Sequence, residues 1–158
     1  MNEFPKRKHP RLRNYDYSQS GAYFITICTE NRQSILGTIT VGRDDLIPPM
    51  CVLSPVGELV ERYIQSITDV YQTAFVPGYV VMPNHVHILL VLERGGPSVM
   101  MIVRGFKRQV TKALGRPIWQ DSFYEHTIRD EASYRKHLQY MENNPVRWAE
   151  DDYYCQSL

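Results

Sequence analysis

Apolar positions along the chain fall into short runs and helical stripes, which predict strands and helices in a definite order. Residues 22–29 are rich in β-branched and aromatic types and predict a core strand, and a weaker strand is predicted over 34–41. Two further apolar segments, 75–82 and 85–92, predict strands of one sheet. Because proline cannot donate to a strand ladder, Pro77 disfavours regular pairing near the start of the first segment.

Capping residues and helical spacing predict three helices. Ser54-Pro55 begins the first, Ser98 caps the second, and Asp130 caps the last, which Pro145 ends. The second helix is expected to end at Gly115 and to bury Met101, Ile102, Val103, Phe106, Val110 and Leu114. This order of elements is not the regular alternation of a doubly wound fold. It favours an α+β fold in which helices pack mainly on one face of an antiparallel sheet.

Length and composition narrow the class of protein. The 158 residues suit a single domain, and shares of 43% hydrophobic and 22% charged residues exclude disordered and fibrous chains. The longest apolar run, 86–92, is interrupted by His87 and is too short for a bilayer, which needs about 20 residues, so no membrane span is expected. The 3 cysteines lack C-x-x-C spacing, which favours reduced thiols in a cytoplasmic protein over disulfides or a thiolate zinc site.

The formal net charge of +1 conceals two basic clusters. One is the N-terminal segment, with Lys6, Arg7, Lys8, Arg11 and Arg13. The other is on the second predicted helix, where like charges four residues apart repel unless an anion such as a phosphate backbone offsets them. Its members are Arg104, Lys107, Arg108 and Lys112. A solvated tail and a solvated helix surface explain the same patterns, so the charges alone leave both interpretations open.

His85 and His87 are two apart in a predicted strand, so their side chains point to the same face of the sheet. The two imidazoles then form a ready pair of metal ligands, although two histidines on one hydrogen-bonded face give the same pattern. Because His87 interrupts an apolar strand, leaving its imidazole without a partner would cost about 1–3 kcal/mol. We therefore expect some group to satisfy this side chain.

Tyr140 and Asn144 are four apart on the last predicted helix and are neighbours on its surface, with His137 one turn before. A tyrosine at such a position is by itself explained by packing at the edge of the core. His126 and Arg129 lie near Trp119, Phe123 and Tyr124 in the sequence. This cluster offers stacking and hydrogen-bonding groups for exposed bases, and core packing explains its aromatic residues equally well.

Five blocks of the chain carry a family resemblance when they are taken together. They are Met82-Pro83-Asn84-His85-Val86-His87, Phe106-Lys107, the segment 118–126, Ile128-Arg129 and Tyr140-Met141-Glu142-Asn143-Asn144-Pro145-Val146. In this order they resemble the single-tyrosine transposases of the insertion-sequence 200 kind, and within these the REP-associated tyrosine transposases. The resemblance covers about residues 15–146 of a single domain spanning 1–158, and it leaves a basic N-terminal tail and a short C-terminal tail.

The resemblance implies a ferredoxin-like, RRM-like α+β domain of the HUH endonuclease type that cleaves and rejoins hairpin-bearing single-stranded DNA. Tyr140 matches the nucleophile that forms a 5′-phosphotyrosine intermediate, and His85 and His87 match the metal-binding pair. Asn144 matches a polar position that is often a metal ligand in relatives. The expected cofactor is a divalent metal, Mg²⁺ or Mn²⁺, although imidazole ligands suit zinc better and ligand type alone does not identify the ion.

The expected partner is a REP-like or insertion-sequence-end hairpin. DNA contacts are assigned to Arg11, Arg13, Arg104, Lys107, Arg108, Lys112, His126 and Arg129. Two other functions stay open: a DNA-binding module of the same fold that has lost cleavage, and a metal-dependent phosphohydrolase that uses water. The resemblance includes both homodimers that exchange the tyrosine helix and forms that act alone, so it does not choose between a dimer and a monomer.

Overall fold

A computed structural model describes residues 21–40 and 48–148 of the chain. Its strands are β1 (Gly21–Cys28), β2 (Gly37–Ile39), β3 (Cys51–Leu53), β4 (Ala74–Met82), β5 (His85–Leu92) and β6 (Tyr124–Ile128). Its helices are α1 (Pro55–Gln65), α2 (Ile67–Val70), α3 (Val99–Leu114) and α4 (Glu131–Asn143), and a 3-10 turn spans Glu30–Arg32. The N-terminal basic residues, Arg11 and Arg13 among them, lie outside the described residues.

Four strands form an antiparallel sheet in the order β4-β5-β1-β6. The two central strands are buried along nearly their whole length, as expected for their runs of apolar residues. The pairing of β4 with β5 shifts register between Phe75 and Gly78, at the position of Pro77. The predicted antiparallel α+β class is therefore confirmed, with the irregularity where proline removes a ladder donor.

The three long helices begin at the capping residues that the sequence predicts. The side chains of Ser54, Ser98 and Asp130 each accept a hydrogen bond from a backbone N–H three residues further on. Gly115 ends α3 with φ of 77°, a left-handed conformation that favours glycine. None of the helices within 48–148 is long and apolar enough to cross a membrane.

The helices cover both faces of the sheet. On one face, α1 and α3 pack against Tyr23, Ile25, Ile27, Val86, Ile88, Leu90 and Leu92. We call this the α1/α3 face. On the other, the α4 face, Tyr134, Leu138 and Met141 of α4 pack against Ala22, Phe24, Leu89, Val91 and Ile128. Two of the three long helices thus share one face, and the third lies across the opposite face.

Two predictions of detail were wrong. Met101 is 61% exposed although it was expected to face inward, because the buried stripe of α3 passes through Val99, Ile102 and Val103. The run of five apolar residues at 99–103 contains no polar position that would show which of them face solvent. The weak strand predicted over 34–41 is reduced to β2, which pairs with β3 in a separate two-stranded sheet. At three residues, β3 is too short to show an alternating pattern.

Candidate active site on the alpha 4 face

The histidine pair, His85 and His87, lies on the α4 face of central strand β5. Both side chains are almost completely buried, with 0% and 1% exposure. Thr26 is directly opposite His87 in the register of β1 with β5, and its Oγ1 is 2.8 Å from His87 Nδ1. The neighbouring strand therefore supplies the partner that a buried imidazole requires.

The other imidazole is oriented by the residue before it. Asn84 Nδ2 donates to the carbonyl oxygen of Arg32 over 3.3 Å, and Asn84 Oδ1 lies 2.8 Å from His85 Nδ1. Because an amide oxygen only accepts, His85 Nδ1 carries the hydrogen and a lone pair remains on Nε2 of the neutral ring. The Nε2 atoms of His85 and His87 face each other at 3.2 Å.

Two residues of α4 complete the cluster. Asn144, at the C-terminal cap of α4, donates from Nδ2 to the carbonyl oxygen of Tyr140 over 2.7 Å. Asn144 Oδ1 is buried and makes no hydrogen bond of acceptable geometry within the described residues. The Tyr140 ring lies 5.4 Å from that of His87, centroid to centroid, and its side chain is 43% exposed. Four residues predicted from the sequence are thus brought together at one end of the α4 face.

Burial keeps both imidazoles neutral. It lowers the pKa of His85 to about 3, and the positive charge of Arg32 adds to this lowering. Burial also lowers the pKa of His87 well below its usual value, with a further contribution from His85. The neighbouring Asn144 side chain opposes the shift at both rings. A neutral ring with a lone pair on Nε2, as in His85, is the form in which histidine binds a metal.

Further rings extend the cluster across the sheet. Phe24 stacks on His87 at 4.9 Å and contacts His137 at 4.6 Å between centroids. His137 in turn stacks on exposed His126 at 5.1 Å. At the other end, Trp148 lies parallel to His85 at 6.1 Å. The α4 face therefore carries a continuous row of rings from His126 to Trp148, with the histidine pair inside it.

The basic residues of α3 lie elsewhere. Because α3 packs on the α1/α3 face, the sheet separates its exposed side from the histidine pair. Arg104, Arg108 and Lys112 occupy exposed positions there. Lys107 Nζ donates to the carbonyl oxygens of Gln120, Asp121 and Ser122 at 2.7, 3.3 and 3.1 Å. Arg129 is exposed just after β6.

Sequence reasoning missed four residues that contact or influence the histidine pair: Thr26, Arg32, Asn84 and Trp148. Asn84 is part of the motif that carries the resemblance, but its side chain links His85 to the Arg32 carbonyl oxygen, 52 residues away in the chain. Thr26 becomes a partner of His87 only through strand register. Among the described residues, no group of three or more His, Cys, Asp or Glu side chains is arranged to hold a metal ion. A ligand set here would need the amide oxygen of Asn144.

Known proteins are similar to this chain in sequence and in fold. No family model matches the chain. An uncharacterized protein of Haemophilus influenzae is 30% identical over 94% of this chain and 93% of its own length. The REP-associated tyrosine transposase of Escherichia coli K12 is 40% identical over 70 residues, which are 44% of this chain and 42% of the relative.

Two solved structures have the same fold. The structure of a REP-associated tyrosine transposase bound to a REP hairpin superposes with a TM-score of 0.63 at 27% identity, over 94% of this chain and 74% of that one. A transposase candidate from Deinococcus radiodurans superposes with a TM-score of 0.50 at 20% identity, over 84% of this chain and 95% of that one, which supports the fold alone. The blocks of sequence, the fold and these relatives lead to one conclusion: the chain belongs to the family of the REP-associated tyrosine transposases.

Proposed function

We propose that the protein cleaves and rejoins hairpin-bearing single-stranded DNA, with Tyr140 as the nucleophile and a divalent metal bound beside it. The observation that carries this proposal is the convergence of an accessible phenol, two facing imidazole nitrogens and a buried amide oxygen. The Tyr140 ring is 5.4 Å from His87, whose Nε2 is 3.2 Å from that of His85. The solved relative bound to a REP hairpin supports the choice of substrate.

The side chains present fit a divalent cation. The Nδ1 atoms hydrogen-bond with Thr26 Oγ1 and Asn84 Oδ1, and the two Nε2 atoms face each other at 3.2 Å, so we propose Nε2 as the ligand atom of each ring. Asn144 Oδ1 is a buried acceptor without a hydrogen bond in the described part of the chain, and such an atom costs about 1–3 kcal/mol if it stays unsatisfied. We propose His85, His87 and Asn144 as the ligands of Mg²⁺ or Mn²⁺. When bound, the ion would withdraw charge from the phosphate under attack.

Tyr140 needs positioning because its phenol is a weak nucleophile near neutral pH. A free tyrosine titrates near pH 10, so only about a thousandth is ionised at pH 7. Asn144 anchors the backbone of Tyr140, and the phenol ring makes T-shaped contacts with the Phe24 and His87 rings at 6.0 and 5.4 Å between centroids. These contacts limit the ring to a narrow range of orientations while its exposed side remains open to a strand of DNA.

The proposed reaction conserves the phosphodiester. Tyr140 Oη forms a bond to phosphorus, the bond from phosphorus to the 3′ oxygen breaks, and that oxygen leaves as a 3′ hydroxyl after taking up a proton. The phenolic proton passes to solvent. The DNA 5′ phosphate is then joined to Tyr140, and a 3′ hydroxyl from another strand reverses the step. No nucleoside triphosphate is required as an energy source, because one phosphodiester replaces another.

The proposal is tested by trapping the covalent intermediate. We would incubate the protein with labelled hairpin-bearing oligonucleotides and Mn²⁺ and separate the products on a denaturing gel. A protein–DNA adduct is expected with wild-type protein and not with Tyr140→Phe. The matched control is Tyr63→Phe, because Tyr63 lies on α1, across the sheet from the histidine pair, and should leave the adduct unchanged.

Other outcomes identify the competing functions. DNA binding without an adduct across a series of hairpins, together with no heat of Mn²⁺ binding, would indicate a binding module that has lost cleavage. Cleavage that releases a free 5′ phosphate and survives Tyr140→Phe would indicate a phosphohydrolase. Either result would overturn the proposed mechanism.

A further inference from the structure

The segment that leads from α3 into β6 carries three aromatic residues, Trp119, Phe123 and Tyr124, and they have different surroundings. Trp119 is buried, with its ring centroid 5.7 Å from that of Phe106, and Phe123 packs against the core of the α1/α3 face. Tyr124, by contrast, is 55% exposed. Core packing therefore explains the first two rings and does not explain the third.

Strand register places the Tyr124 side chain on the α4 face. Tyr124 is directly opposite Thr26 in the pairing of β6 with β1, and opposite residues of antiparallel strands have their side chains on the same face. Thr26 in turn is opposite His87, to which its hydroxyl is hydrogen-bonded. Two residues further along β6, His126 stacks on His137 of α4, as strand alternation requires. Tyr124, Thr26 and His87 thus form one row across three strands.

Exposure increases along this row from the centre of the sheet to its edge. His87 and Thr26 are buried, whereas Tyr124 is open to solvent on β6, the last strand in the order of the four-stranded sheet. Adjacent strands are about 4.8 Å apart, so two strand spacings, about 10 Å, separate Tyr124 from His87. Tyr140 is also exposed and contacts the His87 ring. An exposed aromatic ring therefore lies beside the proposed active site, on the side where the sheet ends.

Single-stranded DNA with a phosphate at Tyr140 presents unpaired bases on either side of that phosphate. Proteins hold such bases by stacking them on aromatic side chains, which replaces the stacking that the bases have in a duplex. Tyr124 supplies a flat apolar ring one strand beyond the hydroxyl of Thr26. Because the ring is uncharged, it suits a base rather than a phosphate.

We propose that the Tyr124 ring stacks on a base of the single-stranded DNA that adjoins the phosphate attacked by Tyr140. This inference rests on the proposed function, because it assumes that DNA enters the site on the α4 face. It separates Tyr124 from Trp119 and Phe123, which pack in the core. Every base has an aromatic face, so the contact should hold the strand in place without selecting its sequence.

The ring is tested by fluorescence anisotropy in EDTA, with a labelled oligonucleotide that carries a hairpin and single-stranded flanks. Tyr124→Leu should bind about tenfold more weakly, with an unchanged slope of log K against log salt, because no phosphate contact is lost. Tyr124→Phe keeps the ring and should keep wild-type affinity. Tyr124→Thr keeps a hydroxyl and a strand-forming residue without the ring, and should bind as weakly as Tyr124→Leu. The matched control is Tyr63→Leu, on α1 across the sheet, which should leave DNA affinity unchanged.

A scan with abasic nucleotides identifies the base. Single abasic positions are introduced in turn along the flanks, and each oligonucleotide is titrated with wild-type protein and with Tyr124→Leu. At the stacked position the abasic change should weaken wild-type binding about tenfold and have little further effect on the variant, because both changes remove the same contact. At every other position the two losses of affinity should multiply.

Three results would overturn the inference. The first is wild-type affinity in Tyr124→Leu, and the second is a set of losses that multiply at every position of the scan. The third is normal binding by Tyr124→Thr together with a lowered melting temperature that accounts for the weak binding of Tyr124→Leu. Failure of the proposed function would look different: the wild-type protein would form no adduct in Mn²⁺, whereas the scan in EDTA would still report whether Tyr124 stacks on a base.

Discussion

The two faces of the central sheet use the same strands for different purposes. On the α1/α3 face every inward side chain of β1 and β5 is apolar or aromatic, from Tyr23 to Ile27 and from Val86 to Leu92. The α4 face is apolar at one end only, where Ala22 and Val91 pack under α4. Its other end buries two imidazoles and a threonine hydroxyl.

The difference shows how a sheet carries a polar site without losing its core. Burying a polar group is tolerated when each atom has a partner, and on the α4 face nearly every one does. Two features are informative: the Nε2 atoms of His85 and His87 face each other at 3.2 Å, and Asn144 Oδ1 has no hydrogen bond of acceptable geometry among the described residues. These are the atoms that we propose as metal ligands. Stability should therefore depend mainly on the α1/α3 face, and chemistry on the α4 face.

The largest effect on folding is expected from a cavity in the α1/α3 face. Ile88→Ala removes a side chain that is 2% exposed at the centre of β5, and we expect a loss of about 2–5 kcal/mol in the free energy of unfolding. Urea denaturation followed by circular dichroism measures it. A loss below about 1 kcal/mol would show that stability does not depend mainly on the α1/α3 face.

Thr26→Val should lower the free energy of unfolding less than Ile88→Ala does, and its main effect should be on metal binding. The change removes the hydroxyl that pairs with His87 Nδ1, and a buried group left without a partner costs about 1–3 kcal/mol. Because the ring also loses its orientation, Mn²⁺ affinity should fall about 10–100-fold in calorimetry. The control is Thr127→Val, a partly exposed threonine on β6, which should bind Mn²⁺ as the wild type does.

The role of Asn144 is tested by changing the charge of its side chain at constant size. If Oδ1 is a ligand, Asn144→Asp places an anionic oxygen at the same point, and Mn²⁺ should bind about tenfold more tightly. Asn144→Ala should bind more weakly than wild type. Calorimetric titration of wild type, Asn144→Asp and Asn144→Ala in parallel gives the order of their Mn²⁺ affinities. Equal affinities in all three would exclude Asn144 from the ligand set and leave the two imidazoles alone.

The smallest effect on binding is expected from a change at Lys107, a residue that the resemblance assigned to DNA contact. Its ammonium already donates to three carbonyl oxygens between α3 and β6, and burial lowers its pKa. We expect Lys107→Met to cost about 1–2 kcal/mol of stability and to change DNA affinity less than twofold. Arg108→Gln, one residue further on and exposed, is the comparison. A larger loss of DNA affinity in Lys107→Met than in Arg108→Gln would contradict this expectation.

The boundaries of the long elements were predictable because they depend on local chemistry. Ser54, Ser98 and Asp130 accept hydrogen bonds from nearby backbone groups wherever the chain folds, and Gly115 ends its helix for a similarly local reason. The exposure of Met101 and the pairing of β2 with β3 were not predictable, because each depends on segments distant in the sequence. The same division applies to the site: strand alternation places the histidine pair on one face, but Thr26 reaches His87 only through register.

The sequence by itself determined the order of the longer strands and helices, the helix caps, and the shared face of His85 and His87, but it predicted neither β3 nor β6. Its blocks of residues also indicated the family, which relatives and fold then supported. Only the tertiary structure decided which face carries the polar site, which helix covers it, and that Arg32 and Asn84 belong to its surroundings. The physical reason is the separation in sequence over which each interaction acts. Periodicity and capping act over a few residues, whereas a buried imidazole finds its partners across strands and turns that folding alone brings together.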